Sequence, residues 1–303
     1  MFQATLLILV SAATLAAADF DVRDQAEFNK IFPKDAKVQK VASGFMFIEG
    51  PVWIAQDGGY LVFSDIPANE MKRWDAAGGV KTFRKPSGSA NGNTLDREGR
   101  LLSAQHDGRL TRTEKDGKVV TLADKFEGKP LHAPNDVVVK SDGTIWFTDP
   151  DYVAREGATP GKNVYRLSSN GTTLTAVVTG LEKPNGLCFS PDERTLYVAE
   201  AGPAHNIRAY PVNSNGSLGT MKVLATIDNR FPDGIRCDAA GRVWSSAGDG
   251  IHIFSPSGAL IAKVLTPEGP ANLAFGGAKG TTVFITAATS LFSVEALVRG
   301  AKR

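Results

Sequence analysis

The chain has 303 residues, 42% hydrophobic and 22% charged, with 34 Lys+Arg against 32 Asp+Glu. This apolar content at almost no net charge excludes a disordered chain, and the lack of any basic run longer than two residues excludes a nucleic-acid binder built on a positive stripe. Thirty-one glycines and 16 prolines without a three-residue period favour tight turns and short strands over long helices.

In chain order, the first feature is the apolar run Leu6–Val10, followed by small residues and the triplet Ala16-Ala17-Ala18. It reads as a signal peptide over residues 1–18, although its start carries no Lys or Arg. The mature protein is then expected to be secreted or periplasmic, with no membrane association. Residues 19–36 read as an N-terminal arm with a short helix. Residues 37–303 read as one domain.

A polar residue, an apolar run, a turn and a second apolar run recur six times at 39–50 residue steps. The segments start at Glu49, Asn91, Asn135, Asn185, Asp233 and Asn272. Turn residues such as Asp57-Gly58-Gly59, Glu98-Gly99, Asp142-Gly143 and Ala240-Gly241 separate each pair of runs, and they supply the positive φ of tight hairpins. Two further strand-like runs follow in most periods, for example VYRLS and LTAVV. Four strands per period of 40–50 residues predict an all-β fold, a six-bladed β-propeller of four-stranded blades. An N-terminal strand near Val38–Ala42 is expected to close the ring by completing the last blade.

The two cysteines are Cys188 and Cys237. If Gly186 and Gly234 are equivalent, their side chains point to opposite strand faces, which argues for two buried free thiols over a disulfide. No CxxC or Cys/His spacing suggests zinc.

The first strand of each propeller blade lines the central channel, so the residues just before these strands converge at one mouth. All six are carboxylates or carboxamides. Asn91 and Asn272 are explained well enough as turn formers. Glu49 is not, because Glu does not form turns and here sits between apolar residues. Two acids and several amide oxygens make a cage suited to a hard divalent cation. The second strand of each blade returns to the same mouth and places Asp65, His106, Asp149, Glu200 and Asp249 around it, with Tyr152 just beyond Asp149. Of these, His106, Asp149 and Tyr152 rank first as substrate-binding candidates. His132, His205 and His252 read as surface or packing residues.

The segments IEGPVW, PNDVVVKSDGTIWFTDPDY, KPNGLCFSPD and FPDGIRCDAAGRVW, in this order and at blade spacing, resemble the gluconolactonase branch of the regucalcin / senescence-marker-protein lactonases. The resemblance implies one divalent cation, calcium first, with Zn²⁺, Mn²⁺ or Mg²⁺ as alternatives. It implies Glu49, Asn185 and Asp233 as ligands and Asn135 beside the ion, contacting metal or substrate. It also implies hydrolysis of a small sugar lactone, with Asp233 as the candidate catalytic base. Ala133 stands where regucalcin has a substrate-holding Arg, so regucalcin's substrate preference is not carried over. Water activation by Asp233 and direct attack by Asp233 are both open routes. There is no GxSxG elbow for a serine nucleophile and no dinucleotide fingerprint. An organophosphate esterase such as diisopropylfluorophosphatase, or a calcium-binding propeller without catalysis, are the competing functions.

Overall fold

The computed structural model describes residues 19–301; the leader expected at 1–18 lies outside them. Six antiparallel sheets of consecutive strands form a six-bladed β-propeller. The innermost strands are Ile48–Ile54, Ala90–Leu95, Val137–Val139, Pro184–Phe189, Ile235–Cys237 and Pro270–Gly276, in blades 1 to 6. Blade 6 takes its outermost strand, Gln39–Ser43, from the start of the chain, paired antiparallel with Ser290–Glu295. The ring is therefore closed by a strand pairing between residues some 250 positions apart.

The hairpins between first and second strands form where turn chemistry placed them. Gly143 and Gly241 both have φ +83, a conformation glycine adopts without a Cβ clash. Glu193 fills the corresponding place at φ +56 without a glycine. Asp96, Asp142, Asp192 and Asp238 each accept a backbone N–H two residues on, so the same side-chain cap recurs in four blades. The core lies between blades rather than within any one of them. Trp146, Val164, Leu187 and Val198 of blades 3 and 4 form one cluster, and Trp244, Ile253, Leu273 and Phe292 of blades 5 and 6 another.

The N-terminal segment is built into the propeller. Phe20–Val22 adds a fifth strand to blade 5. Helix α1 (Gln25–Ile31) follows, capped by Asp24, whose carboxylate accepts the Glu27 N–H at 3.0 Å. Phe20, Phe28 and Phe32 pack together, and Phe32 meets Trp244 edge-on at 5.7 Å. Among the described residues no helix is long and apolar enough to cross a membrane.

One expectation is corrected. Opposite parity does not separate Cys188 from Cys237. Both thiols are free and buried, with sulfurs 3.6 Å apart. They stand on the inner strands of blades 4 and 5, and neighbouring blades pack opposite faces against each other. Side chains of opposite parity on adjacent blades therefore meet.

Candidate active site at the channel mouth

Four of the six mouth residues, Glu49, Asn91, Asn185 and Asp233, are followed by a glycine that lets neighbouring inner strands come close. A Cβ on Gly186 would lie 2.4 Å from the Asp233 carbonyl oxygen, and one on Gly234 would lie 2.1 Å from Asn272 Cγ. Glycine is needed there because the backbone of one blade abuts the site residue of the next. The Gly92 N–H donates to the Asn135 carbonyl at 2.7 Å, and the Gly186 N–H to the Asp233 carbonyl at 3.1 Å. The second strands add hydroxyl latches. Ser64 Oγ donates to the Asn91 carbonyl at 2.8 Å and Thr148 Oγ1 to the Asn185 carbonyl at 2.7 Å. Each latch ties one blade to the site residue of the following blade.

Glu49 is buried, and its Oε2 accepts the Gly50 N–H and the Asn272 Nδ2 at 2.9 Å. Burial pushes its carboxyl up to about 7, and the Asp136 charge adds to this. The Gly50 and Asn272 hydrogen bonds and the Arg236 charge oppose it. Asp233 is only half-buried. Burial and then the Glu49 charge hold it well above the usual carboxylate range, against a hydrogen bond from Asn185. Glu49 thus raises Asp233, and Asp136 raises Glu49, so the acids crowded here cannot all ionise freely.

The amides divide by what they already bind. Asn272 donates to Glu49 and accepts the Leu273 N–H at 2.8 Å, so it orients the acid. Asn185 Nδ2 donates to the Tyr152 hydroxyl at 2.8 Å. Asn91 Nδ2 meets His106 Nε2 at 2.9 Å, while its Oδ1 is buried with no partner. Asn135 is buried, its N–H donating to the Thr148 carbonyl at 2.8 Å. Burial pushes His106 down to about 4, so its ring is neutral at pH 7. Tyr152 is raised, by burial first and the Asp233 charge second. It is 40% exposed, and Lys183 Nζ lies 4.8 Å from its ring centroid.

The structure thus brings His106 and Tyr152 to the ring, but not Asp149. Asp149 is fully buried, and its two oxygens accept the His132 and Ala133 N–H groups at 3.0 and 2.8 Å. Burial raises it to about 6 against those bonds. Asp65 accepts the Met46 and Phe47 N–H groups, and Glu200 those of Glu182, Lys183 and Gly202. These acids cap the chain as it enters the inner strands of blades 1 and 4. Asp249 pairs with His252 and Lys263.

Sequence reasoning missed an ion pair next to the ring. Arg236 reaches from blade 5 to Asp136 of blade 3, with nitrogens 2.9 and 3.4 Å from the two carboxylate oxygens. The signal was present as an acid directly after Asn135 and a base three residues after Asp233, but only the ring geometry joins them.

Among the described residues no three His, Cys, Asp or Glu side chains group closely enough to hold an ion unaided. The mouth instead offers two carboxylates plus carboxamides, which are hard oxygen donors. The orphaned Asn91 Oδ1 and the two raised carboxyls, Glu49 and Asp233, are unmet needs that a cation would satisfy. The residues present fit such an ion.

Residues 47–289 match the family model described as SMP-30/Gluconolactonase/LRE-like region. The chain belongs to this family. It is 33% identical over 294 residues to a gluconolactonase of Zymomonas mobilis, covering 85% of this chain and 81% of that protein. A solved gluconolactonase from Xanthomonas campestris is 31% identical, covers 92% of this chain and 95% of its own, and superposes with a TM-score of 0.86. The calcium-binding protein regucalcin from Agrobacterium tumefaciens, 20% identical over 90% of this chain and 96% of its own, has the same fold at a TM-score of 0.75.

Proposed function

We propose that the protein hydrolyses a sugar lactone of the gluconolactone type, using one divalent cation held by Glu49, Asn185 and Asp233 with Asn135 beside it. The observation that carries the reading is the unequal exposure of two carboxyls on one ring. Glu49 is buried and locked by Asn272, while Asp233 is half-buried. In this reading Asp233, the less enclosed of the two acids, takes a proton from attacking water. Glu49 serves as a fixed charge. Asn185 holds the Tyr152 hydroxyl, and Asn91 holds neutral His106, so two ring amides present polar groups that suit a polyol substrate. A bound cation would supply positive charge for the oxyanion that forms as water adds to the lactone carbonyl. Calcium ranks first because every candidate donor is an oxygen. The gluconolactonase names of the relatives support this substrate class, and the apolar leader supports export.

The test is acid release from glucono-δ-lactone by chelator-treated protein, then with Ca²⁺, Zn²⁺, Mn²⁺ or Mg²⁺ restored. Activity should vanish with chelator and return with at least one ion. Asp233→Asn should lower kcat by roughly 10²–10⁴-fold, as loss of a positioned base does. Full activity in that variant, or in chelated protein, overturns the proposal.

A further inference from the structure

The far end of the channel, away from the ring, carries a cavity of about 540 Å³ lined by Trp53, Val139, Phe189 and Phe275 together with Cys188 and Cys237. Neither cysteine belongs to the candidate active site. Their sulfurs are 3.6 Å apart on the facing inner strands of blades 4 and 5, against about 2.05 Å in a disulfide. Closing the gap takes a shift of roughly 1.5 Å shared between two adjacent strands. The cavity gives a small molecule a route to both sulfurs, which are otherwise enclosed by Tyr197, Ile235 and Val243.

We infer that Cys188 and Cys237 are a disulfide-forming dithiol, oxidised through this cavity by a low-molecular-weight disulfide. One cysteine loses its proton and its sulfur attacks the small disulfide. A mixed disulfide forms and one small thiolate leaves. The second cysteine, deprotonated in turn, attacks the protein sulfur of that mixed disulfide and expels the other small thiolate. The protein gives up two electrons and two protons, and the small disulfide is reduced to two thiols. The product staples blades 4 and 5 three residues beyond Asn185 and four beyond Asp233. The Cys188 hydrogen bond, and burial after it, raise the Cys237 thiol, so exchange should be slow at neutral pH and faster as pH rises.

The test incubates the reduced, folded full chain with oxidised glutathione at pH 7 and pH 9, then alkylates it and measures intact mass and a non-reducing peptide map. The expected result is a protein lighter by two hydrogens, one Cys188–Cys237 cross-linked peptide, and a Tm about 5 °C or more above the reduced form. Cys237→Ser should stop at a glutathione adduct on Cys188 or stay unreacted, and Cys188→Ser should never cross-link. Two thiols that still alkylate as free cysteines after oxidation at pH 9, or a wild-type protein that accumulates only mixed disulfides, would overturn the inference. The mass readout does not depend on lactonase activity or on metal binding.

Discussion

Removing the cation should make stability depend on pH in a direction set by Glu49. Without an ion, burial and Asp136 push this carboxyl from 4.5 up to about 7. The folded protein then holds the proton more tightly than the unfolded chain. Its contribution to stability is fully present below pH 4.5 and is lost as pH rises through about 7. The shift of about 2.5 units at 1.36 kcal/mol each corresponds to about 3 kcal/mol, or roughly 6 °C in Tm for a chain of this size. Asp233 is raised too, which adds to the loss in the same direction. A bound divalent cation favours both charged forms and removes the penalty. The assay is a thermal melt at pH 5, 6, 7 and 8, with chelator and with millimolar Ca²⁺. The Tm gain from calcium should be small at pH 5 and grow steadily to pH 8. A gain that is flat with pH, or largest at pH 5, would refute a carboxylate cage built on Glu49 and Asp233.

Thr148→Val keeps the shape but removes the Oγ1 bond to the Asn185 carbonyl and the acceptor of the Asp136 N–H. It should cost about 2 kcal/mol or more in a urea melt, because buried polar groups are left unpaired. Gly234→Ala forces a methyl into Asn272. Overpacking of this kind costs on the order of 1–3 kcal/mol, and the displaced amide should release Glu49, so lactone turnover should fall further than the melting temperature suggests. Tyr152→Phe deletes the acceptor of the Asn185 amide on a side chain that is 40% exposed. Tm should hold while KM for the lactone rises; an unchanged KM would remove Tyr152 from the substrate site.

Periodicity makes the blade count and the ring legible in the sequence alone. Each blade is a local object, and its turn residues, strand alternation and leading polar residue lie within about 50 consecutive positions. Glu49 stood out because no turn explains it, and the structure places it buried and hydrogen-bonded in the channel. Asn91 and Asn272 looked alike as turn formers. They differ only in their partners, since Asn272 spends its amide on Glu49 and Leu273 while Asn91 keeps a bare oxygen.

The remaining features depend on groups meeting across blades, which no local pattern encodes. The exception lies within one blade: Asp149 is expected at the mouth because it ends a second strand, yet the chain entering blade 3 folds over it and takes both oxygens. Asp136 and Arg236 are 100 positions apart, and Glu49 and Asn272 are 223 apart. The cysteine pair turns on the same point, because parity within a strand says nothing about which neighbour a face meets. Amino-acid pattern determines which residues stand at the channel mouth, through turn chemistry and a repeat of fixed length. Only closure of the ring decides which of them remain free to bind, because burial and hydrogen-bond partners are supplied by the adjacent blades.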